Sequence, residues 1–153
     1  MPTTEGIPSQ ATAADRKPRS PRGGTVPRDV VSVRLPAQAA YLAVLRTTTA
    51  SLAARLDFTL DEIEDLRIAV DEASCLLLVG ATPDAELTCV FEMTDDTIEI
   101  TVSGRTAEDH GPERDSFAWT VLSALAGEVD AWVEPDGRQS IFLVKRRGRD
   151  ASA

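Results

Sequence analysis

Residues 56–78 read LDFTLDEIEDLRIAVDEASCLLL, a helix start followed by a long one-sided apolar pattern. Thr59 followed by Glu62 has the form of a capping box, in which a hydroxyl and a carboxylate each satisfy a backbone N–H that the first helical turn leaves unpaired. Ile63, Leu66, Val70, Ala73 and Leu77 then recur by threes and fours, which places them on one face at 3.6 residues per turn. Gly80 falls where a left-handed residue would end the helix. The segment is predicted to be a helix packed through that face, with Cys75 as a small core residue on it.

Upstream, Val30, Val31, Val33 and Leu35 form a β-branched, partly alternating run closed by Pro36, which suits a helical first turn. Between residues 37 and 56, Tyr41, Leu42, Val44, Leu45, Leu52 and Leu56 recur at helical spacings without Gly or Pro, so a long helix is expected. Downstream, residues 87–93 and 97–102 are strand-like runs joined by Thr94, Asp95 and Asp96, the composition of a hairpin. Residues 104–115 read as a loop, and Ser116 as the cap of a third helix carrying Phe117, Val121, Leu122 and Leu125. Residues 131–134 and 139–145 flank Pro135-Asp136-Gly137-Arg138, a turn whose proline and glycine preset its backbone. The predicted order β, α, α, β, β, α, β, β gives an α/β sandwich, a mostly antiparallel sheet covered on one face by about three helices.

Composition bounds the function. No apolar run, that of residues 76–79 included, approaches the roughly 18 residues a membrane span needs, and MPTTEGIPSQ lacks the apolar middle of a secretory signal. A cytoplasmic protein with no membrane contact is expected. Cys75, Cys89 and the single His110 lack the spacing of a metal centre, and Cys89 reads as buried in a strand or at its edge. Net charge is −9, but residues 1–28 carry +3 and residues 145–150 carry +3, which leaves −15 on the stretch between. Such a surface repels phosphate backbones and favours a basic protein partner, so direct nucleic-acid binding is not expected. Residues 1–28 hold almost no large apolar group and read as a disordered basic tail, residues 29–147 as the domain, and 148–153 as a flexible tail.

Residues 56–78 resemble the second helix of the anti-sigma factor serine kinases, which belong to the histidine-kinase-like (GHKL) ATPases and hold sporulation and stress sigma factors. The element order is also similar to that of the family. In these kinases the helix reads A-V-x-E-A-x-x-N, its Glu a general base and its Asn a holder of Mg²⁺ beneath ATP. Here Ala69, Val70, Glu72 and Ala73 match, so the resemblance puts Glu72 at the general-base position. The Asn position is Leu76, which offers no oxygen to a hard cation.

Two further nucleotide motifs of the family are altered as well. No Asp stands in residues 100–105, where D-x-G-x-G would read adenine, and Ser116-Phe117-Ala118-Trp119 replaces the glycines that let helix amides bind phosphate. Phe117 and Trp119 suit packing better than an open lid. No cofactor is therefore expected, ATP and Mg²⁺ binding only if the degenerate site still works.

By the same resemblance, Arg46 coincides with a helix-one arginine that family members use to touch both the sigma factor and the STAS-domain anti-anti-sigma factor. A planar guanidinium can pair with a carboxylate on either partner, and an ordinary surface arginine making helix-local pairs is the alternative. The implied function is an anti-sigma factor relieved by partner switching. An active serine kinase acting on the STAS protein and a non-catalytic scaffold remain open, as does a homodimer through helix one.

Overall fold

The computed structural model describes residues 28–148. The expectations for residues 1–27 and 149–153 lie outside the described residues. Five strands form one antiparallel sheet in the order β1-β2-β3-β5-β4, with β1 at Asp29–Pro36, β2 at Glu86–Met93, β3 at Thr97–Arg105, β4 at Glu128–Val133 and β5 at Arg138–Arg146. Each strand alternates its side chains between two faces. The register aligns Val33, Cys89, Val102, Ile141 and Ala131 in one row and Val31, Phe91, Ile100, Leu143 and Val129 in the next. These rows form the floor of the core, and Cys89 lies fully buried among them as its strand position implied.

Helices α1 (Leu42–Arg55), α2 (Leu60–Val79) and α3 (Phe117–Leu125) cover that floor. In α2 the face carrying Leu66, Ala69, Val70, Ala73 and Leu77 is buried against the sheet and α1, with Ile63 partly so. Each fully buried Leu or Val contributes roughly 1.5–3 kcal/mol of transfer free energy, so this stripe fixes the helix more firmly than its propensity does. The capping box is present in both directions, Thr59 Oγ1 accepting from Glu62 N at 3.2 Å and Glu62 Oε1 from Thr59 N at 3.0 Å.

Several expectations are corrected. Gly80 ends α2 at φ −99, not in the left-handed region, because the chain runs straight on into a β-bridge between Ala81 and Thr106. Instead, the left-handed residue that ends a helix is Asp57, at φ 60 after α1. Pro36 belongs to β1, and the first helix is preceded by a 3-10 turn at Ala39–Tyr41. Gly104 lies in β3, not in a loop, and a Cβ there would come within 2.9 Å of Leu87 Cδ2, so a larger residue would displace that buried leucine side chain. Cys75 is exposed, since it falls on the outward side of α2.

The last correction concerns Arg28, which sequence assigns to the tail. Its Nη1 donates to Glu99 Oε2 at 2.6 Å and Glu92 Oε2 at 3.2 Å, on the sheet face away from the helices. Among the described residues no helix is long and apolar enough to cross a membrane.

Candidate functional site

Helix α2 carries polar side chains that reach in two directions. Asp71 reaches toward α1, where its Oδ1 accepts from Arg46 Nη1 at 2.6 Å. Asp65 reaches the other way, to Lys145 Nζ at 3.4 Å, and the same Nζ donates to the Leu125 carbonyl at the end of α3, 2.8 Å away. Seven residues make nearly two turns, so Glu72 lies on the stripe of Asp65, which continues through Leu76 on the α3 side. The structure therefore separates the two singled-out residues: Arg46 works on the α1 side of the helix, Glu72 on the α3 side.

Glu72 is half-buried and has no hydrogen-bond or ion-pair partner among the described residues. Leu76, one turn on, packs against the core as an ordinary apolar residue. Burial pushes the nearby Cys75 thiol up, and Asp71 and Glu72 push it the same way against a smaller opposing effect of Arg46. The patch is thus acidic, and a neutral thiol is what it leaves at Cys75.

The segment after β3 lies over the end of α2. Ala107 N donates to the Gly80 carbonyl at 2.9 Å and Thr106 Oγ1 to the Glu108 carbonyl at 3.2 Å. Gln139 Nε2 donates to the Glu108 and His110 carbonyls, and the Glu108 side chain approaches to 3.4 Å of where a Gly80 Cβ would stand. These bonds tie residues 106–110 to both α2 and β5.

The start of α3 is closed in a similar way. Ser116 Oγ accepts from Trp119 N at 3.2 Å, as its capping position predicts. Trp119 is buried, and the Arg114 guanidinium lies 4.8 Å over its ring while donating to Asp130 Oδ1 at 2.7 Å. Phe117, expected to pack, is instead 84% exposed. Sequence reasoning missed Asp71 and Arg114, because their partners are 25 and 16 residues away and no local spacing announces them.

A Mg²⁺-nucleotide does not fit the residues that stand here. Leu76 supplies no oxygen donor at the metal position. The Trp119 N–H at the start of α3 is already used by Ser116, and residues 106–110 are bonded across the end of α2. No chemical step is therefore derived through ATP.

No family model matches the chain. It is similar to the anti-sigma-F factor RsbW of Mycobacterium tuberculosis, 32% identical over 126 residues, 80% of this chain and 75% of that protein. Serine-protein kinases RsbW of Bacillus mycoides and Bacillus cereus are 33% and 37% identical over 102 residues, 65% of this chain and 59% of theirs. Among solved structures, the RsbU and RsbW domains of Rv1364c from Mycobacterium tuberculosis match with a TM-score of 0.63 at 16% identity, over 80% of this chain and 34% of that one. That likeness agrees with the histidine-kinase-like arrangement of a five-stranded sheet under three helices. With a relative above 30% identity over most of both chains, and with the cap, helix stripe and element order expected of it, the chain belongs to the RsbW family of anti-sigma factors.

Proposed function

We propose that this chain is a cytoplasmic anti-sigma factor, which sequesters an alternative sigma factor and is released when a STAS-domain anti-anti-sigma factor competes for the same surface. The observation that carries the reading is the 32% identity over 126 residues to an anti-sigma-F factor. The surface chemistry supports it. The 3-10 turn and α1 expose Tyr41 and Val44, and α2 exposes Ile68 and carries Asp71 and Glu72, so this helical layer presents apolar and acidic side chains that suit a basic, amphipathic protein segment. Arg46 on α1 is 38% exposed at its side chain, so it stays accessible to an incoming carboxylate despite its bond to Asp71.

Partner switching then rests on relative affinity alone, since neither partner needs to be modified for one to displace the other. Serine kinase activity on the STAS protein is the second reading, favoured by the kinase relatives and by Glu72 at the general-base position. Leu76 argues against it. A homodimer through α1 and a basic tail that plays no part in the folded core complete the proposal.

Calorimetric titration against each alternative sigma factor of the source organism tests the reading. One of them should bind with a Kd of about a micromolar or tighter without nucleotide, and a STAS protein should displace it. No binding to any sigma factor would overturn it and leave the scaffold.

A further inference from the structure

We propose that the end of the sheet face away from the helices, around Arg34, Arg105 and Arg138, is a binding site for a phosphate monoester. These residues come from β1, β3 and β5 and line one concavity together with the hydroxyl-bearing Thr82 and Thr88. By the register all three point to the face opposite the apolar rows, so the site is independent of the surface assigned to partner switching.

Arg105 and Arg138 are directly opposed across the β3–β5 ladder. Like charges in that arrangement repel, so the pair costs stability unless an anion stands near. The chain supplies only part of the compensation. Arg105 holds Asp136, donating to its carbonyl at 3.0 Å and lying 3.5 Å from its carboxylate, and Arg34 Nε lies 3.2 Å from Glu86. Arg138 has no carboxylate for its guanidinium among the described residues, although its backbone N–H donates to Asp136 Oδ1. The Thr88 hydroxyl likewise has no hydrogen-bond partner among the described residues.

Three guanidinium groups and the Thr88 hydroxyl, from four adjacent strands, line this one concavity. That arrangement matches the terminal oxygens of a tetrahedral phosphate better than a planar carboxylate, and guanidinium groups pair with phosphate bidentately. Asp84 and Glu86 also line the concavity and oppose an anion. A dianion gains more from the arginines than a monoanion does, and the two carboxylates set a ceiling on affinity. The ligand is a phosphate group, carried either by a small molecule or by a phosphorylated side chain of a protein.

The test is a titration of the isotopically labelled full chain, followed by amide chemical shifts, with inorganic phosphate, with O-phosphoserine and with chloride at matched ionic strength. Phosphate or phosphoserine should saturate shifts at Thr88, Arg105 and Arg138 where chloride does not. A phosphoserine affinity well above that of phosphate assigns the ligand to a phosphoprotein, and equal affinities assign it to small phosphates. Arg138→Gln should weaken binding by about tenfold while leaving the ligand-free melting temperature equal or raised, and Thr88→Val should weaken it by a smaller factor with the fold retained. Shifts no larger than those of chloride, or shifts that Arg138→Gln leaves in place, would overturn the site.

Discussion

Arg46 on α1 and Asp71 on α2 form an ion pair of 2.6 Å, each about one-third exposed, so the arginine proposed for partner contact also ties two helices together. The two roles have separable consequences. A pair this exposed contributes about 0.5–1 kcal/mol. Asp71→Asn should therefore lower stability by no more than that and leave sigma-factor affinity intact or raised, because it frees the guanidinium. Arg46→Glu sets two carboxylates side by side and replaces attraction with repulsion at the interface. It should weaken both the sigma-factor and the STAS complexes by about a hundredfold in calorimetry. If neither affinity moves while circular dichroism shows a folded protein, Arg46 serves only as the clamp between helices.

Arg28 gives a sharper test of where the domain starts. Its partner Glu99 has a side chain only 8% exposed, and removing the arginine leaves that carboxylate without its closest counter-charge. Breaking such a pair costs several kcal/mol when fully buried, and about 2 kcal/mol is expected at this partly shielded site. Deleting residues 1–27 should leave the melting temperature unchanged, since that segment carries almost no large apolar side chain to contribute to a core. Arg28→Ala should lower it by roughly 6–12 °C. Equal melting temperatures for the deletion with and without that substitution would refute the anchoring role.

The legible parts of this fold were those fixed by local chemistry. Thr59 and Glu62 announce a helix start because both partners of the capping box lie within one turn, and the strand runs are visible because alternation has a short period. Gly80 was misread because a helix end with glycine can follow several paths, and only the distant Thr106 selects the extended one. Cys75 and Phe117 were placed inside on side-chain type, whereas the position on the helix decides exposure. The same limit hid Asp71, since ion pairs between helices are set by packing and leave no spacing to read.

Glu62 predicts a pH dependence. Burial raises its pKa, but N–H donation from Gly148 and Thr59 and the nearby Lys145 outweigh this, and the folded value lies below the ordinary 4.5. A carboxylate lowered on folding stabilises above its unfolded value, and the contribution disappears as pH falls through the folded value. The melting temperature of the wild-type chain should therefore exceed that of Glu62→Gln at neutral pH, with the gap closing below about pH 4.5. A gap that stays constant down to pH 3 would show that Glu62 acts by its hydrogen bonds and not by its charge.

Leu76 offers the most direct test of the nucleotide question. It packs against the core from the α3 side of α2, so Leu76→Asn exchanges apolar contact for an amide and should cost about 1–2 kcal/mol of stability. What the amide adds is a single oxygen at the position where relatives of this family hold Mg²⁺. The remaining requirements stay unmet, because no Asp stands in residues 100–105, and Ser116 still occupies the Trp119 N–H at the start of α3. The bonds from Ala107 and Gln139 also keep residues 106–110 over the end of the helix. Neither the wild-type chain nor Leu76→Asn should transfer phosphate from ATP to a STAS protein, and neither should bind a fluorescent ATP analogue in the presence of Mg²⁺. The sigma factor should bind both chains with similar affinity. Transfer by the wild-type chain would establish the kinase reading, with another group replacing the missing asparagine. Transfer by the variant alone would show that one oxygen was all the site lacked.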